Sequence, residues 1–398
     1  MAQGRQEEDR NDDPLTQETT NTKRQRLITS TTTLTSLPFD LLSQILCKLP
    51  VRLLVQLRCL CKSFNSLISD PKFAKNHLRL STKQHHLMLS TRDFLLYDSP
   101  LSSVLSTSTI TQTQLNYPVT GKIHGISEPF SFSTCDGIFC FAIYSTSVIL
   151  WNPSIRKFRL LPTPSENPRK TNTFLFSIFS FGHDPFTDSY KIICVSLFRN
   201  QTKVRVNTMG TNDWRRIQDF PRFSATLGPC GGPGVSVNGT VNWLTSIEDF
   251  DLRRNSTLQA IVSLDLAKES YQNISQPEWE KGILYLRLGR VRDCLCIFAS
   301  NKMFLDVWIM KEYGNKESWN KPYHVPYIVE RGLSPSSGVL YISQDDQLLM
   351  SYHYLDGGLL KLVVYGSKDG TSNIPDIRNT DSWAYPIVYV ESLISPCS

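Results

Sequence analysis

The chain has 398 residues, of which 40% are apolar and 20% charged, and a formal net charge of +6. This length admits one large domain or two smaller ones, and this composition belongs to a globular, water-soluble protein. No apolar run approaches the ~20 residues a membrane helix needs, and the polar, acidic start from Met1 to Asp13 lacks the apolar stretch of a secretory signal.

Residues 1–34 are polar and rich in Thr and Gln, without apolar periodicity, and are expected to form a disordered tail. Lys23-Arg24-Gln25-Arg26 reads as a solvated basic patch or a weak nuclear signal. Helices are expected next, over residues 35–80. Phe39, Leu41, Leu42, Ile45, Leu46 and Leu49 form one helical stripe. Pro38 suits the first turn of that helix, and Pro50 ends it. A second helix is expected over Val51–Leu57 and a third from about Leu60 to Ile68, before Asp70-Pro71. Phe73, Ala74 and Leu78 add one further turn.

A three-helix unit of this size cannot bury its own apolar surface. Docking on another protein would satisfy it; packing only on the chain's own β-rich part is the competing reading. Residues 37–80 carry seven basic and two acidic side chains, a net +5, which is nearly all of the chain's excess. An acidic partner accounts for that charge, and a solvated helix face accounts for it as well. Nucleic acid fits less well, because no zinc finger or aromatic RNA-binding signature accompanies it.

After residue 84 the period changes to two. Groups of four short strands are expected over Ser131–Pro162, Phe174–Ile217, Gly234–Ile274, Ile283–Val325 and Gly338–Ile377. A spacing near 40–45 residues is that of propeller blades. His86–Ser90, Phe94–Tyr97 and Gln114–Tyr117 at the front, with Pro386–Ser392 at the far end, supply a sixth blade shared between the ends. Such closure removes exposed sheet edges. The expected fold class is therefore α+β and multidomain: three N-terminal helices, then an all-β propeller of six blades, with seven blades or a β-sandwich pair as alternatives.

The segment Cys59-Leu60-Cys61-Lys62-Ser63-Phe64-Asn65-Ser66-Leu67-Ile68 resembles the F-box found in plants. The remainder resembles the plant F-box-associated interaction domain of the F-box/kelch-repeat type. The resemblance is carried by Cys135-Asp136-Gly137-Ile138-Phe139-Cys140, by Leu150-Trp151-Asn152-Pro153-Ser154-Ile155-Arg156-Lys157-Phe158, and by Phe181-Gly182-His183-Asp184-Pro185-Phe186. Val237-Asn238-Gly239-Thr240-Val241-Asn242-Trp243-Leu244, Asp306-Val307-Trp308-Ile309-Met310-Lys311-Glu312-Tyr313-Gly314 and Tyr389-Val390-Glu391-Ser392-Leu393 continue it. The sequence departs from the family pattern at Asp40, Phe64 and Gly366-Ser367. The resemblance implies an F-box over 35–80 and a substrate-binding propeller over 81–398. It further implies a non-catalytic role as substrate receptor of a Skp1–cullin–F-box ubiquitin ligase, with a scaffold acting without a cullin as the alternative. The implied partners are a Skp1-like adaptor, through it cullin and RING subunits, and a target protein that the sequence does not identify. The Skp1-facing residues carried over are Leu37, Pro38, Leu41, Ile45, Leu49, Pro50, Val51 and Leu54.

Enzyme chemistry finds little support. Gly228-Pro229-Cys230-Gly231-Gly232-Pro233-Gly234 lacks the Gly-Lys-Ser/Thr of a phosphate loop and reads as an inter-blade turn. His85 and His86 project to opposite faces of a strand. The ten cysteines form no C-x-x-C pair and are expected to be reduced thiols of the cytoplasm or nucleus. Cys59 and Cys61 diverge on a helix, and Cys294 and Cys296 share a strand face without a nearby His. Trp151, Trp214, Trp243, Trp308 and Trp319 are expected in cores. Arg156, Lys157, His183, Asp184, Asp249, Asp251 and Asp356 lie near turns and read as solvated loop residues. No metal, cofactor, nucleic-acid or membrane site is expected.

Overall fold

The structure is a computed structural model. It describes residues 39–91, 95–116, 132–143, 147–162, 164, 174–221, 228–246, 259–278, 283, 285–301, 303–326, 333–334, 338–354, 360–377 and 384–397. The N-terminal helices are α1 (Phe39–Leu46), α2 (Val51–Leu57), α3 (Lys62–Ser69) and α4 (Pro71–Leu80). The expected three helices are thus four. The extra turn around Phe73 is a full ten-residue helix, because Asp70 caps it. The Asp70 carboxylate accepts from the backbone N–H of Lys72 at 2.6 Å and of Phe73 at 3.2 Å, and Pro71 takes the first helical position. Phe73, Ala74 and His77 form the buried face of α4. His77 Nε2 meets the Leu49 carbonyl at 2.8 Å, tying α4 to the residues just before α2. Burial pushes the His77 pKa down, although that carbonyl opposes the shift. Residues 43–398, with α2, α3 and α4 among them, make up one compact unit.

Six antiparallel sheets follow. The first begins with β1 (His85–Thr91), β2 (Leu96–Pro100) and β3 (Thr113–Leu115), with helix α5 (Leu101–Ser106) between β2 and β3. The second holds β4 (Phe132–Cys135), β5 (Ile138–Ile143), β6 (Ser147–Asn152) and β7 (Lys157–Leu161). In the third are β8 (Phe174–Asp184), β9 (Ser189–Phe198), β10 (Thr202–Thr208) and β11 (Trp214–Arg216). The fourth comprises β12 (Cys230–Val237), β13 (Thr240–Ser246), β14 (Gln259–Asp265) and β15 (Tyr271–Ile274), and the fifth β16 (Tyr285–Val291), β17 (Cys294–Ser300), β18 (Phe304–Met310) and β19 (Trp319–Pro326). The sixth contains β20 (Leu333–Ser334), β21 (Val339–Ile342), β22 (Gln347–Tyr354), β23 (Leu360–Gly366) and β24 (Ser372–Asn373). The last strand, β25 (Ala384–Val390), returns to pair with β1 in the register His85↔Val390 through Thr91↔Ala384. Both ends of the chain therefore build one sheet, and the fold is a six-bladed propeller.

The cores lie between neighbouring blades. Trp243, Val262 and Leu264 of the fourth sheet pack with Ile193, Val195 and Val204 of the third. Sheets five and six, and sheets six and one, share cores of the same kind. Central strands are accordingly buried on both faces, as in β9, and read as continuous apolar runs. Two-residue hairpins join the first and second strands of the second, fourth and fifth sheets. Asp136-Gly137 and Asn238-Gly239 adopt positive φ throughout, the geometry such hairpins require.

Two expectations are corrected here. The glycine-rich stretch before Gly234 is mostly strand, for β12 starts at Cys230 and is bulged between Cys230 and Val235. Gly234 is needed because a Cβ there would collide with Val241 and Trp243. Helix α5 was not expected at all. It buries Leu101 and Val104 against the β1–β2 hairpin, and its Ser-rich sequence hides that short stripe.

Candidate docking face and axial channel

The eight residues expected to meet a partner fall into three sets. On α1, Leu41 and Ile45 are one turn apart and 47% and 52% exposed. Pro50 is exposed and Leu49 half-buried. Val51 and Leu54 are buried at 3% and 0%, so they support α2 from beneath and are not themselves presented. Leu37 and Pro38 lie outside the described residues. Two apolar side chains not anticipated are exposed as well: Leu53 on α2 at 40% and Leu60 before α3 at 69%. Leu53 is adjacent to the buried Leu54, and Leu60 starts the expected third helix but precedes α3, so sequence alone marks neither as exposed. Lys48, Arg52 and Lys62 are exposed among these residues.

Part of the basic charge faces the chain's own propeller. Lys75 Nζ lies 2.6 Å from Asp188 Oδ2 in the β8–β9 turn, and Lys83 Nζ lies 3.5 Å from Asp293 Oδ2 in the β16–β17 turn. The Lys75 hydrogen bond is the main reason the Asp188 carboxyl is held below its ordinary range. The helical unit thus packs partly on its own β domain and still leaves Leu41, Ile45 and Leu53 exposed.

A cavity of about 1260 Å³ occupies the axis of the ring. The leading strands β4, β12, β16, β21 and β25 contribute to its wall, and Leu78 and Arg79 of α4 line it at one mouth. Side chains also tie several neighbouring blades together. Tyr190 donates to Asp136 at 2.9 Å, and Tyr323 donates to Asp346 at 2.8 Å. Lys191 forms a buried ion pair with Asp184 at 3.1 Å and donates to the Leu266 carbonyl. Burial would raise the Asp184 pKa, but hydrogen bonds from Thr187 and Lys191 outweigh it and hold the carboxyl low. Asp184, expected on a solvated loop, is therefore a fully buried structural group. His183 pairs with Asp188 at 3.0 Å, and Arg156 takes a positive φ in the β6–β7 turn. Asp249, Asp251 and Asp356 lie outside the described residues.

Of the tryptophans, Trp151, Trp243 and Trp319 are buried, as expected for core positions. Trp214 and Trp319 donate to the Pro162 and Ser275 carbonyls, joining the outer strand of one blade to the end of the preceding blade. His85 packs on Tyr341 while His86 packs on Tyr389, the opposite-face arrangement the strand period requires. Burial raises the Cys194 thiol to about 11 and the Cys296 thiol to about 12, which keeps both protonated. Among the described residues no three His, Cys, Asp or Glu side chains converge on a point, and no helix is long and apolar enough to cross a membrane.

Comparison with known proteins gives two matching families. The F-box associated beta propeller domain matches residues 86–396, and the F-box domain matches residues 34–76. An F-box/kelch-repeat protein of Arabidopsis thaliana is 27% identical over 374 residues, covering 91% of this chain and 96% of its own. The F-box protein CPR1 of Arabidopsis thaliana is 29% identical over 317 residues, 73% of each chain. Among solved structures, an oligogalacturonate lyase in complex with manganese aligns over 73% of this chain and 77% of its own, at 10% identity and a TM-score of 0.41. A likeness that low has no bearing on function.

Proposed function

Because the chain belongs to the F-box associated beta propeller family, we propose that it is the substrate-binding subunit of a Skp1–cullin–F-box ubiquitin ligase, working in the cytoplasm or nucleus. The observation that carries the reading is the pairing, in one chain, of an F-box whose Leu41, Ile45, Leu53 and Leu60 stay exposed with a closed propeller. A Skp1-like adaptor would cover those side chains, each worth ~1.5–3 kcal/mol when fully buried, before the cost of association. Leu49 and Pro50 continue the face, Val51 and Leu54 hold it in shape, and Leu37 and Pro38 belong to the same contact by resemblance alone. Exposed Lys48, Arg52 and Lys62 favour an acidic adaptor surface.

The chain forms and breaks no bonds in this role. It holds a target lysine near a charged ubiquitin-conjugating enzyme and so raises the effective concentration of the reacting pair. The test is reconstitution: full-length chain, Skp1-like adaptor, cullin and RING subunit are mixed and the complex isolated by size. Co-elution of all four supports the reading. Adaptor without cullin would point instead to a scaffold, and no adaptor at all would reject both.

A further inference from the structure

The axial channel carries more positive charge than its own acids neutralise. Lys75, Arg79, Lys83, Arg287, Arg290 and Arg292 all line it. The carboxylates lining it are Asp136, Asp188 and Asp293. Four of the cations have acidic partners. Lys75 pairs with Asp188 at 2.6 Å and Lys83 with Asp293 at 3.5 Å. Arg290 pairs with Asp293 at 2.5 Å, and Arg292 with Asp346 at 2.8 Å. Among the described residues Arg79 has only the Asn76 side-chain oxygen, at 3.3 Å. Arg287 has neither an ion pair nor a hydrogen bond among the described residues.

Arg287 stands on β16, the leading strand of the fifth blade. Gly338 of the sixth blade lies beside it: a Cβ there would stand 3.4 Å from Arg287 Cδ and Nη1, an ordinary contact. The side chain is exposed to solvent in the channel, and the channel wall takes only part of its hydration. This partial loss of hydration pushes its pKa below the usual guanidinium value. A cation so placed gains most when an anion joins it, because the anion replaces the lost hydration with charge-assisted hydrogen bonds. The cavity, about 1260 Å³, is larger than the ~300–1,000 Å³ typical of ligand sites. Phe132, Leu286, Leu340 and Val388 supply apolar wall between the charges, and α4 limits one mouth.

We propose that the channel binds a small organic polyanion, a molecule bearing two or more phosphate or carboxylate groups, with Arg287 as its principal counter-ion and Arg79 as a second. Two cations without acidic partners on one cavity favour two anionic groups over one, and the apolar wall favours an organic body between them. Such a ligand would touch β16 and α4 together, and so would link the propeller interior to the F-box. The assignment stands on the channel alone and does not depend on the ligase role.

The test uses the full-length chain at low ionic strength, with tripolyphosphate and citrate as probes, read by calorimetry and by thermal unfolding. Saturable one-to-one binding of at least one probe is expected. Arg287→Gln should weaken it by about tenfold or more, the scale of one charge-assisted contact. Arg287→Lys should keep most of the affinity, and the remote Lys268→Gln all of it. Without probe, Arg287→Gln should unfold at an equal or higher temperature, because it removes a cation that has no partner. The proposal is overturned if neither probe binds, if Arg287→Gln binds both as tightly as the unaltered chain, or if Lys268→Gln weakens binding equally.

Discussion

Lys75 on α4 and Asp188 in the β8–β9 turn form an ion pair at 2.6 Å, and the Lys75 ammonium also donates to the Asp188 carbonyl at 2.6 Å. This contact joins the helical unit to the third blade, 113 residues away in sequence. The connection between α4 and β1 spans only Ser81 to Gln84 and contains neither Gly nor Pro. A short join and a cross-link at Lys75 make a stiff arm. Both partners are substantially exposed, so Lys75→Ala should lower stability by no more than about 1 kcal/mol. It should leave adaptor binding intact and reduce ubiquitin transfer to a propeller-bound target, as measured in a reconstituted ligase. Unchanged transfer would show that the arm's stiffness does not set reach.

Closure of the ring should depend on pH through His86. Its Nδ1 lies 2.9 Å from Asp98 Oδ2 on β2, and its Nε2 lies 3.5 Å from Glu391 Oε1 just after β25. Tyr389 donates to the other Asp98 oxygen at 3.0 Å, and Arg52 also acts on Glu391. Burial on its own would lower the His86 pKa, but Asp98 and Glu391 outweigh it and raise it above 6.5. A His with a raised folded pKa stabilises fully below pH 6.5 and loses that contribution as pH rises through the folded value. Burial raises the Glu391 pKa above 4.5, so ionising Glu391 also weakens the fold as pH rises. Melting temperature should therefore fall as pH rises above 6.5, and His86→Gln should flatten that part of the profile. A profile that His86→Gln leaves unaltered would exclude His86 as its source.

Asn152 anchors the end of the chain. It is fully buried, and its side-chain nitrogen donates to the Ser392 carbonyl at 3.1 Å and to the Ile394 carbonyl at 2.9 Å. Its oxygen accepts from the Ser154 N–H at 2.9 Å, which shapes the β6–β7 turn. Asn152→Ala would leave buried carbonyls without donors, at about 1–3 kcal/mol each when fully desolvated. Urea unfolding should show a loss of roughly 2–4 kcal/mol. The free C-terminal segment should also become the first site of proteolysis. A loss below about 1 kcal/mol would mean that water replaces the amide.

The sequence exposed the ring more clearly than the surface. A period of two, broken by turns at blade spacing, marks strands because alternate residues face opposite sides of a sheet. Five strand groups and the shared first blade follow from it. The fourth N-terminal helix was shortened in the sequence reading because Asn76, His77 and Arg79 interrupt its apolar stripe, while the Asp70 cap and buried Phe73 sustain it. The docking face was legible only in part. The resemblance groups Val51 and Leu54 with Leu41 and Ile45, yet the first pair is buried and the second exposed. Arg287 carried no signal at all. An Arg in a strand is ordinary until ring closure turns that strand toward an axis shared with five others.

Ile45 stands at the centre of the proposed docking surface. Calorimetry of the full-length chain with a purified Skp1-like adaptor, repeated with Ile45→Glu, isolates the exposed face from the fold. Ile45 is 52% exposed, so the substitution should leave the melting temperature within about 2 °C. Adaptor affinity should fall by at least about a hundredfold, since a charge would then sit where an apolar contact is buried. Equal affinity for both proteins, with both folded, would contradict the claim that this face is the docking surface.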